Sequence, residues 1–157
     1  MMGENDYQII KLLGSGSYGS VYLAKNKRSE YVAIKKFQMQ DKQAYLSFKN
    51  EIKIFKNINS DYLVSILDYY NDFKYTYLVM EYAKEGDLEQ YISNSYKNKK
   101  RMDTKFIDTV IYQITEALNV LHKNNIIHRD IKSSNILVFN ENLVKITDFG
   151  VSKLLES

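Results

Sequence analysis

The sequence predicts an α+β fold, with strands gathered in the first half of the chain and helices in the second. Three observations carry this. Apolar residues alternate at period two from Tyr7 to about Phe37, the period lengthens to that of a helix from Asp41 to Asn57, and it does so again from Thr104 to Leu121. At 157 residues, with 45% hydrophobic and 26% charged side chains, the chain has about the size of one domain and enough apolar material for a core.

Tyr7, Ile9 and Lys11 to Leu13 run into GSGSYGSV, VYLAKN follows, and YVAIKKF comes after a polar turn at KRSE. Alternation and tight turns make these three antiparallel strands. In the helix that follows, Tyr45, Phe48, Ile52 and Phe55 share a face, which is the expected buried side. Strand-like runs come next at Leu63 to Tyr69 and Tyr75 to Glu81. Gly86 and Asp87 open a short helix through Tyr91 and Ile92, and it ends in the basic run KNKKR, read as a solvated loop rather than a docking patch. Asp103 or Thr104 caps a long helix carrying Phe106, Ile107, Val110, Ile111, Ile114, Ala117, Leu118 and Leu121. These cover about 180° of arc, against roughly 100° for a surface helix, so this face wants more than one packing partner. The tail reads as a loop, a strand at ILV, a turn at NEN, a strand at VKI and another loop.

Several function classes drop out on composition. Without Cys there is no disulfide framework and no thiolate metal site, and two His leave little for a histidine site, so any metal is held by oxygen. A net charge of +3 is too mild for a nucleic-acid footprint. No stretch nears the roughly 18 to 20 apolar residues of a membrane span, and MMGENDYQII lacks the pattern of a signal peptide. A soluble intracellular protein, cytoplasmic and without nucleic-acid or membrane partners, is expected.

Gly14, Gly16 and Gly19 fit G-x-G-x-x-G-x-V, a loop whose missing side chains let backbone N–H groups approach phosphates. Alone the loop is equally a glycine turn in a hairpin. A dinucleotide-binding loop is disfavoured, because there the chain continues as a helix, whereas after Gly19 it alternates as a strand. Ala33 and Lys35 in VAIK lie on one face of a strand, where a small residue leaves room for a flat base and the ammonium reaches phosphate oxygens. Such a Lys needs an anion to fix it, and Glu51 offers one from the following helix.

HRDIKSSN, from His128 to Asn135, and DFG, from Asp148 to Gly150, then decide the class. Their eight fixed letters would recur by chance about once in 10¹⁰ tries at ordinary residue usage. With the glycine loop and VAIK in the same order, the chain resembles the eukaryotic protein kinases of Ser/Thr type from about Tyr7 to Leu155. EYAKEGDLEQYI, HRDIKSSNIL and DFGVSKLL look most like the NIMA-related group. The resemblance implies a protein-kinase-like two-lobed fold: a small β-rich lobe over 7–80 with its helix, a hinge at 81–83, and a truncated helical large lobe over 84–157.

It also implies roles. Lys35 would hold the α- and β-phosphates of ATP and pair with Glu51, under a loop of Gly14, Ser15, Gly16, Ser17, Tyr18 and Gly19. Asn135 and Asp148 would bind Mg²⁺. Asp130 would orient the substrate hydroxyl and accept its proton, and Lys132 would contact the γ-phosphate. Val21, Ala33 and Leu137 would enclose the adenine, with Met80 behind it and the backbone of Glu81, Tyr82 and Ala83 bonding its edge. Phe55, Ile66, His128 and Phe149 fall at the positions of a stacked hydrophobic spine, so His128 is read as a packing residue and not as a base. Arg129 falls where an Arg of this family commonly pairs with a phosphorylated activation-loop residue, but the sequence holds only the first residues of that loop and no such control is read from it, and Tyr18 is read as an aromatic lid.

The sequence ends seven residues after Gly150, before the segments that in this family hold a peptide substrate. Two readings follow. In the first, the chain is an ATP- and Mg²⁺-dependent protein Ser/Thr kinase acting on a protein substrate. In the second, it is a catalytically impaired nucleotide-binding or regulatory interaction module. Either way the wide apolar face of the long helix is expected to be exposed in part and to drive self-association.

Overall fold

The alternating first part of the chain forms three consecutive antiparallel strands, β1 (Tyr7–Gly16), β2 (Gly19–Asn26) and β3 (Tyr31–Gln38). They are seen in a computed structural model that describes residues 6–16 and 19–154. After α1 (Lys42–Asn57), β4 (Ile66–Asn71) and β5 (Tyr75–Glu81) complete a five-stranded antiparallel sheet in the order β1-β2-β3-β5-β4. The chain divides into two compact units, one of Met1–Lys56 with Ser65–Tyr82, the other of Asn57–Val64 with Ala83–Ser157.

In the first unit, Ala24, Val32, Ile34, Tyr70, Tyr77 and Val79 form one buried cluster of the sheet. Tyr7 stacks on Tyr70 at 5.8 Å between ring centroids, and Tyr70 stacks on Tyr77 at 4.6 Å, so an aromatic ladder ties β1 to β4 and β5. β1 is an edge strand whose pairing shifts between Ile9 and Lys11 and between Leu12 and Gly14. Such bulges discourage pairing with a further strand.

Asp41 starts α1 by accepting from the amides of Gln43 and Ala44 at 2.8 and 3.0 Å. The buried stripe of α1 is Ala44, Ser47, Phe48, Glu51 and Ile54, whereas Tyr45, Ile52 and Phe55 are only half-buried. The helix is thus rotated from the face that its apolar residues predict. The cause is Glu51, drawn inward by Lys35, with Phe48 set edge-on to Phe37 of β3 at 5.5 Å.

The second unit holds α2 (Leu88–Lys97), capped by Asp87, and α3 (Thr104–Lys123), capped by Asp103. The strand pairs β6 (Ile126–Ile127) with β9 (Lys153–Leu154) and β7 (Ile136–Asn140) with β8 (Leu143–Ile146) complete it. Leu88, Phe106, Ile136, Val138 and Val144 form its buried cluster. The strand expected from Leu63 starts only at Ile66. Leu63 and Val64 are buried against β8 instead, where the Val64 amide donates to the Ile146 carbonyl and the Ile146 amide to the Tyr62 carbonyl, both at 2.9 Å. The short β6–β9 pair lies where the sequence predicts loops, since two-residue strands carry no readable period. On α3, Phe106, Ala117 and Leu121 are buried, while Ile107 and Ile111 from the same expected face are exposed.

Candidate functional site

In the first unit the predicted residues collect on one face of the sheet. Val21 pairs with Lys35 and Ala33 with Met80 across the strands, so all four side chains share a side, with Gly14 opposite Val21. Lys35 Nζ donates to Glu51 Oε1 at 2.5 Å and lies 5.0 Å from the centre of the Phe37 ring. Lys35 is 8% exposed and Glu51 1%. Among the described residues a Cβ at Gly14 or Gly16 would meet no atom within 4 Å, and neither has positive φ, so packing against them does not require glycine there. Gly19 differs: its φ is 153°, and a Cβ would run into the Lys36 carbonyl. Ser15 and Ser20 share a hydroxyl bond of 3.1 Å. Ser17 and Tyr18 lie outside the described residues.

The Glu81 amide donates to the Ser65 carbonyl at 3.2 Å, while Glu81 Oε1 accepts from the Ser65 amide at 2.7 Å. Tyr82 meets Tyr31 at 6.2 Å, and the Ala83 carbonyl accepts from Gly86 at 3.2 Å.

In the second unit, Asp130 Oδ2 accepts from Lys132 Nζ at 2.9 Å and from Asn135 Nδ2 at 2.9 Å. The Lys132 ammonium, followed by the Asn135 amide, holds the Asp130 carboxyl below its ordinary value against the opposing effect of burial. Asn135 Nδ2 also donates to the Asp130 carbonyl at 2.8 Å. Both of these side-chain bonds of Asn135 start from its nitrogen.

Asp148 is brought to Asn135 through the backbone, because the Thr147 amide donates to the Asn135 carbonyl at 3.0 Å. The Thr147 carbonyl accepts from His128 Nε2 at 2.9 Å, and the Asp130 amide donates to His128 Nδ1 at 3.2 Å. His128 is 1% exposed and meets Phe149 edge to face at 5.0 Å, so it packs, as its reading from sequence holds. Arg129 and Asp148 take φ of 68° and 64°, a costly region for side-chain-bearing residues that clusters at functional sites. Arg129 Nε donates to the Val151 carbonyl at 2.6 Å. Leu137 lies on β7 opposite Lys145 and is partly exposed.

Asn135 and Asp148 supply only oxygen donors, which suits a hard cation such as Mg²⁺. Two participants were not found from sequence. Thr147 acts through its backbone, which no side-chain pattern reports. Gln113 bonds the Asn142 carbonyl and the Val144 amide, each at 2.8 Å. A signal for it existed, since this polar residue falls at core spacing between Phe106 and Ala117.

The family model described as the protein kinase domain matches residues 7–157. An Aurora kinase of Yarrowia lipolytica is 35% identical over 152 residues, covering 94% of this chain and 40% of its own length. The NUAK family SNF1-like kinase 2 of Rattus norvegicus is 36% identical over 94% of this chain and 23% of its own. The Aurora/IPL1-related protein kinase 2 of Caenorhabditis elegans is 36% identical, with shares of 94% and 48%. The chain thus spans 23% to 48% of the length of these relatives. Their names support the Ser/Thr kinase family and give no support to a NIMA-related grouping.

Proposed function

The chain belongs to the protein kinase family, and from that premise we propose that it provides the ATP- and metal-binding residues of a kinase that phosphorylates protein Ser or Thr hydroxyls. The observation that carries this is Asp130, whose carboxylate is held ionised by Lys132 and Asn135 within hydrogen-bond distance. A carboxylate of lowered pKa is a weak base. Its work is to align the substrate hydroxyl and take its proton as the oxygen–phosphorus bond forms and the bond from ADP breaks. Lys132 contacts the γ-phosphate that moves.

Lys35, fixed by Glu51, holds the α- and β-phosphates, and Gly14 and Gly16 present backbone amides to the phosphate chain with no Cβ in the way. Val21, Ala33 and Met80 are the adenine-contacting residues assigned in the first unit, and Leu137 is the one assigned in the second. The backbone of Glu81, Tyr82 and Ala83 is read as bonding the adenine edge, with the Glu81 amide and the Ala83 carbonyl already bonded to Ser65 and Gly86. Asn135 Oδ1 and the Asp148 carboxylate hold Mg²⁺, which neutralises phosphate charge when bound. Residues 7–80 and 84–157 are read as the two lobes and 81–83 as the hinge. A protein that uses ATP in this way is read as intracellular.

Transfer of the γ-phosphate from ATP to a Ser/Thr peptide, with and without Mg²⁺, tests the proposal. Mg²⁺-dependent transfer abolished by Asp130→Asn supports it. ATP binding without transfer favours the second reading, a nucleotide-binding interaction module. On α3, Ile107 (41% exposed) and Ile111 (61%), one helical turn apart, leave part of the apolar face uncovered, and we extend the proposal to self-association through it. Light scattering that shows only monomer at every concentration would contradict that extension.

A further inference from the structure

We propose that Gln113, on α3, is a positioning residue that sets the separation of Asn135 and Asp148 by holding the β7–β8 hairpin from outside. The inference rests on the metal-binding reading of those two residues. Gln113 is 8% exposed, and both ends of its amide are used: Nε2 donates to the Asn142 carbonyl and Oε1 accepts from the Val144 amide, each at 2.8 Å. Asn142 lies in the turn of the hairpin and Val144 on β8. One side chain therefore bonds a backbone group of the turn and one of β8, on the edge where a neighbouring strand would bond.

Asn135 directly precedes β7, and Asp148 follows β8 by two residues, so the two oxygen donors stand at the open ends of one hairpin. Their spacing follows from the pairing of Ile136 with Ile146 and from the bond of the Thr147 amide to the Asn135 carbonyl. The pairing shifts between Val138 and Asn140, a bulge that interrupts the ladder between the open end and the turn, so the turn end of β8 takes part of its hold from Gln113 on α3. A slip by one residue displaces a strand by about 3.3 Å. Octahedral Mg²⁺ coordination does not tolerate such a change.

β8 is held at its other end by Tyr62 and Val64, which bond the amide and carbonyl of Ile146. Gln113 holds the turn end. The two anchors fix β8 along its length, and the part that Gln113 contributes is register. An apolar residue of the same size would fill the space equally well but would leave the Asn142 carbonyl and the buried Val144 amide without this partner.

Gln113→Leu is compared with wild type and with Ala117→Gly, which loosens the same helix and leaves the amide bonds in place. Two readouts are taken: Mn²⁺ binding by electron paramagnetic resonance with a non-hydrolysable ATP analogue, and hydrogen exchange of the Thr147 amide without ligand. Gln113→Leu is expected to weaken Mn²⁺ binding by about tenfold or more, as loss of a residue supporting metal ligands does. It also speeds Thr147 exchange beyond the change in Ala117→Gly, after both are corrected for lost stability. Equal effects of the two variants on both readouts would overturn the proposal. Should the wild type bind no Mn²⁺, the metal reading falls and Thr147 exchange decides alone: selective acceleration supports the register role, and none overturns it.

Discussion

His128 and Thr147 are joined by a hydrogen bond of 2.9 Å from imidazole Nε2 to the carbonyl one residue before Asp148. The other ring nitrogen accepts from the Asp130 amide at 3.2 Å, so a neutral imidazole with its proton on Nε2 satisfies both contacts. One buried ring thus links the backbone beside Asp130 to the backbone beside Asp148.

Burial holds the His128 pKa below its ordinary value, although Thr147, Asp148 and Asp130 act to raise it. Below about pH 6.5 the unfolded chain takes up a proton that the folded chain refuses, so this contribution to stability is complete above that pH and is lost as the pH falls. Urea midpoints at neutral and mildly acidic pH check it: the wild-type midpoint drops on acidification and that of His128→Gln drops less. Equal drops would contradict the assignment.

Lys35 and Glu51 are both buried, so removing one partner leaves a charge in a poor environment. Glu51→Gln is expected to cost about 3 kcal/mol or somewhat more, whereas Lys35→Met with Glu51→Leu costs much less than the sum of the single changes. A double-mutant cycle by denaturant unfolding measures the coupling. Additive costs would show that the pair does not act as a unit.

The expected face of α1 illustrates what the sequence makes legible and what it hides. Period alone located the helix, the three strands before it and the β7–β8 hairpin, because each pattern follows from local geometry. It misplaced the buried stripe of α1, since a charged Glu51 inside the core depends on Lys35, a tertiary partner sixteen residues away. At the candidate site, side chains such as Asp130 and Asn135 were readable as motif letters. The backbone of Thr147 and the positive φ of Asp148 were not, because long-range bonding imposes them.

The hydroxyls of Ser47 on α1 and Thr76 on β5 are buried and find no hydrogen-bond partner among the described residues. Removing an unsatisfied polar group without changing shape is favourable. Thr76→Val and Ser47→Ala are each expected to stabilise the protein by about 1 kcal/mol, read as a rise in the thermal midpoint. A fall in both would show that the hydroxyls are satisfied by bound water.

Tyr7 is pushed up to about 12 by burial, then by the charge of Asp68 and the hydrogen bond to it, with Asp6 adding to the effect. The folded chain keeps a proton that the unfolded chain loses above about pH 10, so stability falls as the pH rises from there towards 12. Ultraviolet titration should show a late phase that Tyr7→Phe removes. An unchanged curve would place Tyr7 among the ordinary phenols.

The most direct test of the account is isothermal titration of the folded chain with ATP in the presence and absence of Mg²⁺. The account predicts ATP binding that Mg²⁺ tightens, weakened by Lys35→Met and stripped of its Mg²⁺ dependence by Asp148→Asn. A correctly folded chain that binds no ATP under either condition would contradict it.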